Sequence, residues 1–414
     1  MLVKINPKTL SGVVVAPPSK SYAHRLIISA FLSGGKVTIK NIGASNDVIA
    51  TITALKSLGA NIVTGDNFVT VNGRSEVKGK VTVNCLESGS TLRFLMPIAC
   101  ALGINAEFTG QGRLLKRPIT DLASALNLGG ATVNGFTVSG KLKAGVYNIN
   151  ASVSSQYVTG LIFALSALDG DSYLNLVGNV VSSGYIDITI DVLKTFGVNI
   201  IKTENGYYIK GGQYNIAPNE ITVEGDFSGS AFILSLGAIN GEVSVGGLNK
   251  NTKQGDFEIV SVLKKFGAMV TENDGVFTVK NGNLKAITLD CENIPDLVQV
   301  IASVASYAEG VTVLKNVDRL RIKESDRIEA VINTLKIAGI KAWYQNGNIY
   351  VEGGKPVGGI FDGGNDHRTV MSAVVLSAFA KGNSVVTGAE AHKKSYPEFF
   401  EHLKLLGGDI DVEI

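Results

Sequence analysis

Leu55-Lys56-Ser57-Leu58-Gly59, followed by the strand-like run Ala60-Asn61-Ile62-Val63-Thr64, decides the fold because its pattern returns five more times along the chain. The other instances are Leu126 to Gly130, Leu193 to Gly197, Leu263 to Gly267, Leu335 to Gly339 and Leu403 to Gly407. Each reads as the last turn of a helix closed by a glycine just past its end, where positive φ is needed, with a strand behind it. The glycines are spaced by 71, 67, 70, 72 and 68 residues. A second set, Gly35, Gly103, Gly170, Gly241, Gly310 and Gly382, keeps the same period; each closes a nearly all-apolar helical stretch and leads into an alternating strand. Two landmarks with one period define a repeat of two helices and several strands, present six times. A chain of 414 residues exceeds one ordinary core, so six units make two lobes of three.

Composition narrows the function classes. Hydrophobic residues make up 45% and charged residues 18%, and 48 glycines against 9 prolines indicate tight turns rather than disorder. Net charge is 38 − 36 = +2, so nothing global attracts nucleic acid or anionic lipid. Any anion site must come from local placement of Lys and Arg. Cys85, Cys100 and Cys291 form no C-x-x-C pair and read as buried thiols in a reducing compartment. The four histidines lack metal-ligand spacing, and no Walker loop or G-x-G-x-x-G follows a strand, so neither metal nor nucleotide chemistry is expected. The start, Met1-Leu2-Val3-Lys4-Ile5, reads as a strand rather than an export signal, and no apolar run approaches a membrane span. These features point to the cytoplasm.

The second helix of each repeat is apolar nearly throughout and is therefore buried, so only its start can meet solvent. Those starts read Ser19-Lys20-Ser21, Ser88-Gly89-Ser90, Ser154-Ser155-Gln156, Ser228-Gly229-Ser230, Pro295-Asp296 and Asn365-Asp366-His367-Arg368. Ser and Asp there are ordinary caps. A buried helix also presents unpaired N–H groups and the positive end of its dipole, so each start is a potential anion site.

Several starts carry more than a cap requires. Positions 21 and 25 share a helical face, so Lys20, Ser21 and Arg25 can cluster near the helix start, and a Lys in the first turn opposes the dipole unless an anion sits there. Arg93 follows Gly89 by one turn, and Gly89 allows close approach to the backbone. Arg113, Lys116 and Arg117 occupy a Gly-flanked loop. Further on, Arg319-Leu320-Arg321-Ile322-Lys323-Glu324-Ser325-Asp326-Arg327 precedes an amphipathic helix expected over Ile328 to Ala338. With Asp296 expected at a helix start and His367 beside Arg368, it forms an acid–base set among anion binders. Lys394 stands just before the last helix.

At these residues the sequence resembles the enolpyruvyl transferases, in particular the branch that acts on shikimate 3-phosphate. The resemblance runs in family order through Ser19-Lys20-Ser21 with Arg25, Ser88-Gly89-Ser90-Thr91 with Arg93, Arg117-Pro118-Ile119, Ser154-Ser155-Gln156, Tyr185-Ile186-Asp187, Val223-Glu224-Gly225-Asp226, Ile294-Pro295-Asp296, Lys323 to Arg327, Asn365 to Arg368, and Lys394-Ser395-Tyr396-Pro397. It implies an α/β (α+β) fold of two lobes, each of three βαβαββ units in an inside-out α/β barrel, closing over the substrates. The first lobe would span 14–224 and the second 1–13 with 225–414, with a hinge near 12–18 and 224–226.

The implied reaction adds the 5-hydroxyl of shikimate 3-phosphate to C2 of phosphoenolpyruvate while C3 is protonated, then expels phosphate. Lys20, Asp296 and Glu324 are the implied proton-transfer groups. Shikimate 3-phosphate would meet Lys20, Ser21, Arg25, Ser154, Ser155, Gln156, Ser182, Tyr185, Asp296, Arg319 and Lys323. Phosphoenolpyruvate would meet Lys20, Gly89, Arg117, Gln156, Arg327, Arg368 and Lys394, with Arg93, Asp226 and His367 in support. No cofactor or metal is implied, and a monomer is the family expectation. Three positions depart from the common pattern: His24 and Arg319 where Asn is frequent, and Glu87 where Asn often precedes the glycine loop. Gly89 is retained, so the inhibitor glyphosate is expected to bind. The UDP-N-acetylglucosamine branch usually has Lys-Asn at the first helix and a loop Cys, whereas here Lys20 precedes Ser21 and Glu107 to Pro118 holds no Cys. A non-catalytic phosphosugar-binding protein would not need Lys20, Asp296 and Glu324 together.

Overall fold

The computed structural model describes residues 1–214 and 216–413. Residues 18–223 form one compact unit, the first, and residues 1–17 with 224–414 form the second. Each unit holds three four-stranded sheets among the described residues, and all six share one pattern. Lys80–Asn84 runs parallel to Asn105–Thr109, which pairs antiparallel with Thr137–Gly140, itself antiparallel to Ala131–Asn134. Parallel neighbours need a crossover. The inner helix Gly89–Leu102 provides it, while the outer helix Thr120–Leu128 leads into the hairpin.

Three sheets are completed by strands remote in sequence. Glu220–Thr222 returns to pair with Lys36–Lys40 in the first unit. In the second, Leu10–Val15 lies parallel to Gly241–Gly246, and Leu2–Asn6 fits between Ser384–Thr387 and Asp409–Glu413. Residues 14–17 and 224, assigned from sequence to the first lobe, group with the second unit. The reason is continuity of pairing: the ladder extends to Val15 opposite Gly246, and the Asp226 N–H donates to the Pro17 carbonyl at 2.7 Å.

The six Leu-x-x-x-Gly glycines have φ between 73° and 108°, as a helix-ending left-handed residue requires. The second glycine set behaves less uniformly. Gly34 rather than Gly35 takes the left-handed cap, and the helices before Gly170, Gly310 and Gly382 end at Ser166, Ala305 and Ser377. After Ser166 the chain tightens into i→i+3 bonds from Ala167 and Leu168 before turning.

The inner helices are Lys20–Ser33, Gly89–Leu102 and Ser155–Ser166 in the first unit, and Phe227–Asn240, Val298–Ala305 and His367–Ser377 in the second. Nearly every side chain on them is buried, as their composition demands. Alternating strand residues meet them: Val37 opposite Val71 and Ile39 opposite Val69 are all shielded from solvent. Each such aliphatic side chain contributes roughly 1.5–3 kcal/mol when fully buried.

One contact sets the spacing of two inner helices. Pro97 lies inside Gly89–Leu102 and has no N–H, so it cannot bond the Arg93 carbonyl one turn back. Gly160 of the neighbouring helix comes against that carbonyl: a Cβ there would lie 2.2 Å from the Arg93 oxygen and 3.1 Å from Pro97 Cγ. Only glycine fits. The helices therefore meet backbone to backbone one turn from Gln156, which brings Arg93 and Gln156 together. Gly160→Ala should force them apart and destabilise the protein by about 3 kcal/mol, the upper end of overpacking effects. Urea unfolding checks this, and an unchanged midpoint would refute the close approach.

Candidate active site

In the first unit, polar side chains gather at the starts of the inner helices. Ser88 accepts the Thr91 N–H and Ser154 the Gln156 N–H, so both act as caps. Arg93, 4% exposed, donates through Nη1 to Gln156 Oε1 at 2.6 Å and through Nη2 to the Pro118 carbonyl at 3.1 Å. Gln156 Nε2 in turn donates to Ser90 Oγ at 3.0 Å. Arg117 follows the turn Leu114–Lys116, and its guanidinium occupies the space a side chain at position 89 would need, Nη1 being 2.7 Å from an ideal Cβ. Gly89 therefore makes room for an arginine as well as for any ligand. Arg93, Arg117, Gln156, Ser90 and Gly89 form one patch; Arg113 is exposed.

A second patch surrounds the first inner helix. Lys20 Nζ is 2.7 Å from Asp47 Oδ2, and this ion pair offsets the unfavourable position of a lysine in the first turn. Ser19 occupies the cap position, yet its side chain makes no capping bond. Arg25 is 2% exposed and donates to Thr189 Oγ1 at 2.8 Å, to the Ser21 carbonyl at 2.9 Å and to the Tyr185 carbonyl at 2.9 Å. Its guanidinium lies 5.1 Å from the Phe94 ring centroid. Burial lowers its pKa to about 10, partly opposed by Tyr185 and Tyr22, so it stays charged at neutral pH. Arg25 thus ties Ser21 to Tyr185, and Ser182 nearby in sequence takes φ 53°, uncommon for a residue other than glycine.

A buried chain of hydroxyls joins these patches. His24 Nδ1 is 2.6 Å from Thr51 Oγ1, Thr51 Oγ1 is 2.7 Å from Thr91 Oγ1, and Thr91 Oγ1 donates to Ser88 Oγ at 2.7 Å. Because Thr91 spends its proton on Ser88, it accepts from Thr51, and Thr51 accepts from His24. That direction fixes the imidazole proton on Nδ1. Burial, reinforced by Lys20 and Arg25, holds the His24 pKa well below its ordinary value, so the ring is neutral.

In the second unit the centre is Arg327, 1% exposed. It donates to Asp366 from Nε at 2.8 Å and Nη2 at 3.3 Å, to Asp296 from Nη1 at 2.9 Å, and to Glu324 from Nη2 at 2.8 Å. Four of its five N–H groups are thus held by three carboxylates. Burial pulls its pKa down, but Asp366, Glu324 and Asp296 outweigh that and hold it above its ordinary value. Burial likewise pushes Asp366 up, while Arg327 and His367 outweigh it and hold the carboxyl below the usual range. Asp366 also accepts from the Arg368 N–H and from Ser325 Oγ, both at 2.9 Å.

Asp296 is the most contested carboxylate. Besides Arg327 it has Arg368 Nη2 at 3.2 Å and Lys323 Nζ at 3.7 Å, and its backbone carbonyl accepts from Arg368 Nη1 at 2.9 Å. Its side chain remains 17% exposed, so it is oriented by these cations and still reachable. Glu324 is similar at 22%. Lys394 Nζ donates to the Asn365 carbonyl, Arg319 Nη2 to the Glu292 carbonyl, and His367 Nδ1 lies 3.8 Å from Asp366.

Three local expectations shift. Asp226, not Ser228, caps Phe227–Asn240, accepting the Gly229 N–H at 2.6 Å, because Ser228 already lies inside the helix. Asp296 lies in the turn before Val298–Ala305 rather than at its first residue. Arg327 begins the helix Arg327–Ile337, capped by Asp326, so it is fixed by helix geometry rather than by a loop. Sequence reasoning passed over Asp47, Thr51 and Thr189, which partner Lys20, His24 and Arg25. Asp47 carried one signal, a carboxylate in the first turn of Asn46–Ser57.

Among the described residues no cluster of His, Cys, Asp and Glu could hold a metal, and no helix is long and apolar enough to cross a membrane. The arrangement can bind anions and move protons. Its architecture is that of solved enolpyruvyl transferases. The enolpyruvyl transferase NikO from Streptomyces tendae, 15% identical, has a TM-score of 0.76 over 99% of this chain and 98% of its own, which shows the shared fold. An EPSP synthase from Acinetobacter baumannii is 25% identical with a TM-score of 0.85, both chains covered in full. The model of the EPSP synthase (3-phosphoshikimate 1-carboxyvinyltransferase) family matches residues 5–403. The 3-phosphoshikimate 1-carboxyvinyltransferases of Clostridium kluyveri and Clostridium acetobutylicum are 40% and 39% identical, each over 99% of this chain and 98% of the relative. The chain belongs to the EPSP synthase family.

The neutral His24 has a measurable consequence. The unfolded chain binds a proton there near pH 6.5, whereas the folded protein refuses it until much lower pH. Above about pH 6.5 the group leaves stability unchanged; below that, stability falls with pH by up to about 1.4 kcal/mol per unit. His24→Asn should flatten urea-unfolding stability between about pH 6.5 and 5 by that amount. An unaltered slope would mean that His24 is not held neutral.

Proposed function

We propose that this chain transfers the enolpyruvyl group of phosphoenolpyruvate to the 5-hydroxyl of shikimate 3-phosphate, releasing phosphate, with Lys20, Asp296 and Glu324 as its proton-transfer groups. The observation that carries the reading is the family match over residues 5–403, coupled with a carboxylate, Asp296, partly exposed among Arg327, Arg368 and Lys323. Shikimate 3-phosphate contacts Lys20, Ser21, Arg25, Ser154, Ser155, Gln156, Ser182, Tyr185, Asp296, Arg319 and Lys323. Phosphoenolpyruvate contacts Lys20, Gly89, Arg117, Gln156, Arg327, Arg368 and Lys394, with Arg93, Asp226 and His367 in support.

The chemistry explains why cations and carboxylates stand together. Addition to C2 converts an enol phosphate into a crowded tetrahedral ketal phosphate, while C3 gains a proton and the attacking hydroxyl loses one. Elimination reverses the carbon protonation and expels phosphate. Arginine and lysine stabilise the substrates' phosphates and carboxylates, and Arg327 and Arg368 hold Asp296 oriented until it accepts a proton. Lys20, paired with Asp47 at rest, protonates the bridging or departing oxygen. The crossings near 12–18 and 224–226 act as a hinge. The enzyme works as a cytoplasmic monomer and binds glyphosate.

Phosphate release from phosphoenolpyruvate with shikimate 3-phosphate as acceptor tests the reading; release only with UDP-N-acetylglucosamine would overturn it. Lys20→Met and Asp296→Ala should keep the circular dichroism of the parent and each lose about 10²- to 10⁴-fold in kcat, the range for a positioned acid–base group. Near-normal turnover in either variant would contradict its role.

A further inference from the structure

Gln254-Gly255-Asp256 forms a tight connection in the second unit that the reaction as described does not use. Gln254 is buried and clamps the start of the fourth inner helix: Oε1 accepts the Phe227 N–H at 2.9 Å, while Nε2 donates to the Gly225 carbonyl at 2.8 Å and to Glu224 Oε1 at 2.6 Å. The adjoining turn Gly255–Glu258 carries Asp256, 5% exposed, against the same helix start. There the Ser228 hydroxyl donates to Asp256 Oδ2. Ser228 Oγ also accepts from Arg368 Nη2 at 3.1 Å. A continuous path of donors runs from Arg368 through Ser228 to Asp256.

A hydroxyl has one proton and a guanidinium has only donors. With its proton committed to a carboxylate, Ser228 turns lone-pair density toward Arg368. Remove that acceptor and the hydroxyl can rotate its proton toward other oxygens or toward the guanidinium itself. The Arg368 guanidinium is also held by Asp296, through the backbone carbonyl at 2.9 Å and Oδ2 at 3.2 Å. Ser228 adds a contact from the start of a different helix, which helps to fix the guanidinium plane. A planar, forked donor is selective for a carboxylate or phosphate only when its plane is fixed. A buried carboxylate so near Asp296 and Asp226 is held at an electrostatic disadvantage, since burial and Asp296 both push its pKa upward while Arg368 and Ser228 act against them. A plain structural cap would not require that placement.

We infer that Asp256 is a positioning residue for phosphoenolpyruvate, orienting Arg368 through the Ser228 hydroxyl. The inference rests on the assignment of Arg368 to phosphoenolpyruvate made above. Steady-state kinetics with each substrate varied separately on the full-length enzyme distinguish the two. Ser228→Ala and Asp256→Ala should each raise the KM for phosphoenolpyruvate by about 10-fold, the effect of losing one hydrogen bond to a charged group, with kcat and the KM for shikimate 3-phosphate within about 2-fold of the parent. The double variant should be no worse than either single one, because both break the same path. Asp256→Asn should recover most of the loss, since its side-chain carbonyl still accepts the Ser228 proton.

Arg368→Ala serves as the reference. If it raises the KM for phosphoenolpyruvate while Ser228→Ala and Asp256→Ala do not, the positioning role is wrong and the assignment of Arg368 stands. If Arg368→Ala leaves that KM unchanged, the assignment falls and the inference with it. Equal rises in both KM values, or additive losses in the double variant, would mark Asp256 as a general structural support and overturn the proposal. Should Asp256→Ala fail to accumulate as folded protein, Ser228→Ala alone decides by the same KM ratio.

Discussion

A helix that is apolar on every face can meet water only at its ends, and that constraint organises both units. The sheets cover the sides of the inner helices, so polar chemistry is confined to their first turns and to the loops that reach them. Arg25 and His24 lie one turn into the first inner helix and are already buried. Arg93 and Gln156 meet because the Gly160 contact holds two helices at backbone distance.

Burial makes the charge arrangement consequential. An isolated buried guanidinium is costly, and Arg327 exists at its position because three carboxylates surround it. The dependence is mutual. Asp366 is fully buried and ionised because Arg327 is there, and by capping His367–Ser377 it fixes the start of Arg368. Asp296 inherits its orientation from two arginines that are themselves locked. Rigid support for partly exposed carboxylates is what acid–base chemistry needs, because a group that reorients before each transfer loses the benefit of proximity.

Much of this was legible in the sequence. The repeat could be read because a glycine with positive φ after an amphipathic helix is a local requirement, expressed six times. The inner helices could be read because uniform apolarity in a helix too short to span a membrane has one outcome, burial in a core. What could not be read depends on distance along the chain. Asp47 pairs with Lys20 across 27 residues and Thr189 with Arg25 across 164, and no spacing rule links them. The cap of the fourth inner helix shifted to Asp226 because serine, glycine and aspartate are all acceptable starts, and packing at the crossover chose among them. Asp296 was expected at a helix start but lies in the turn before Val298–Ala305, since Pro295 marks a boundary only to within a few residues.

The remote strands bear on how the molecule is made. Residues 18–223 contain every strand their sheets need, so that unit can close while later residues are still being synthesised. The second unit cannot. Leu2–Asn6 emerges early yet lies between strands 384–387 and 409–413, and Leu10–Val15 must wait for 241–246. The opening segment is therefore a pair of unmated strand edges for most of synthesis, the condition under which mispairing between chains is most hazardous. The charge on Lys4 and Lys8 and the glycine at position 12 weaken that segment as a template for a neighbouring chain.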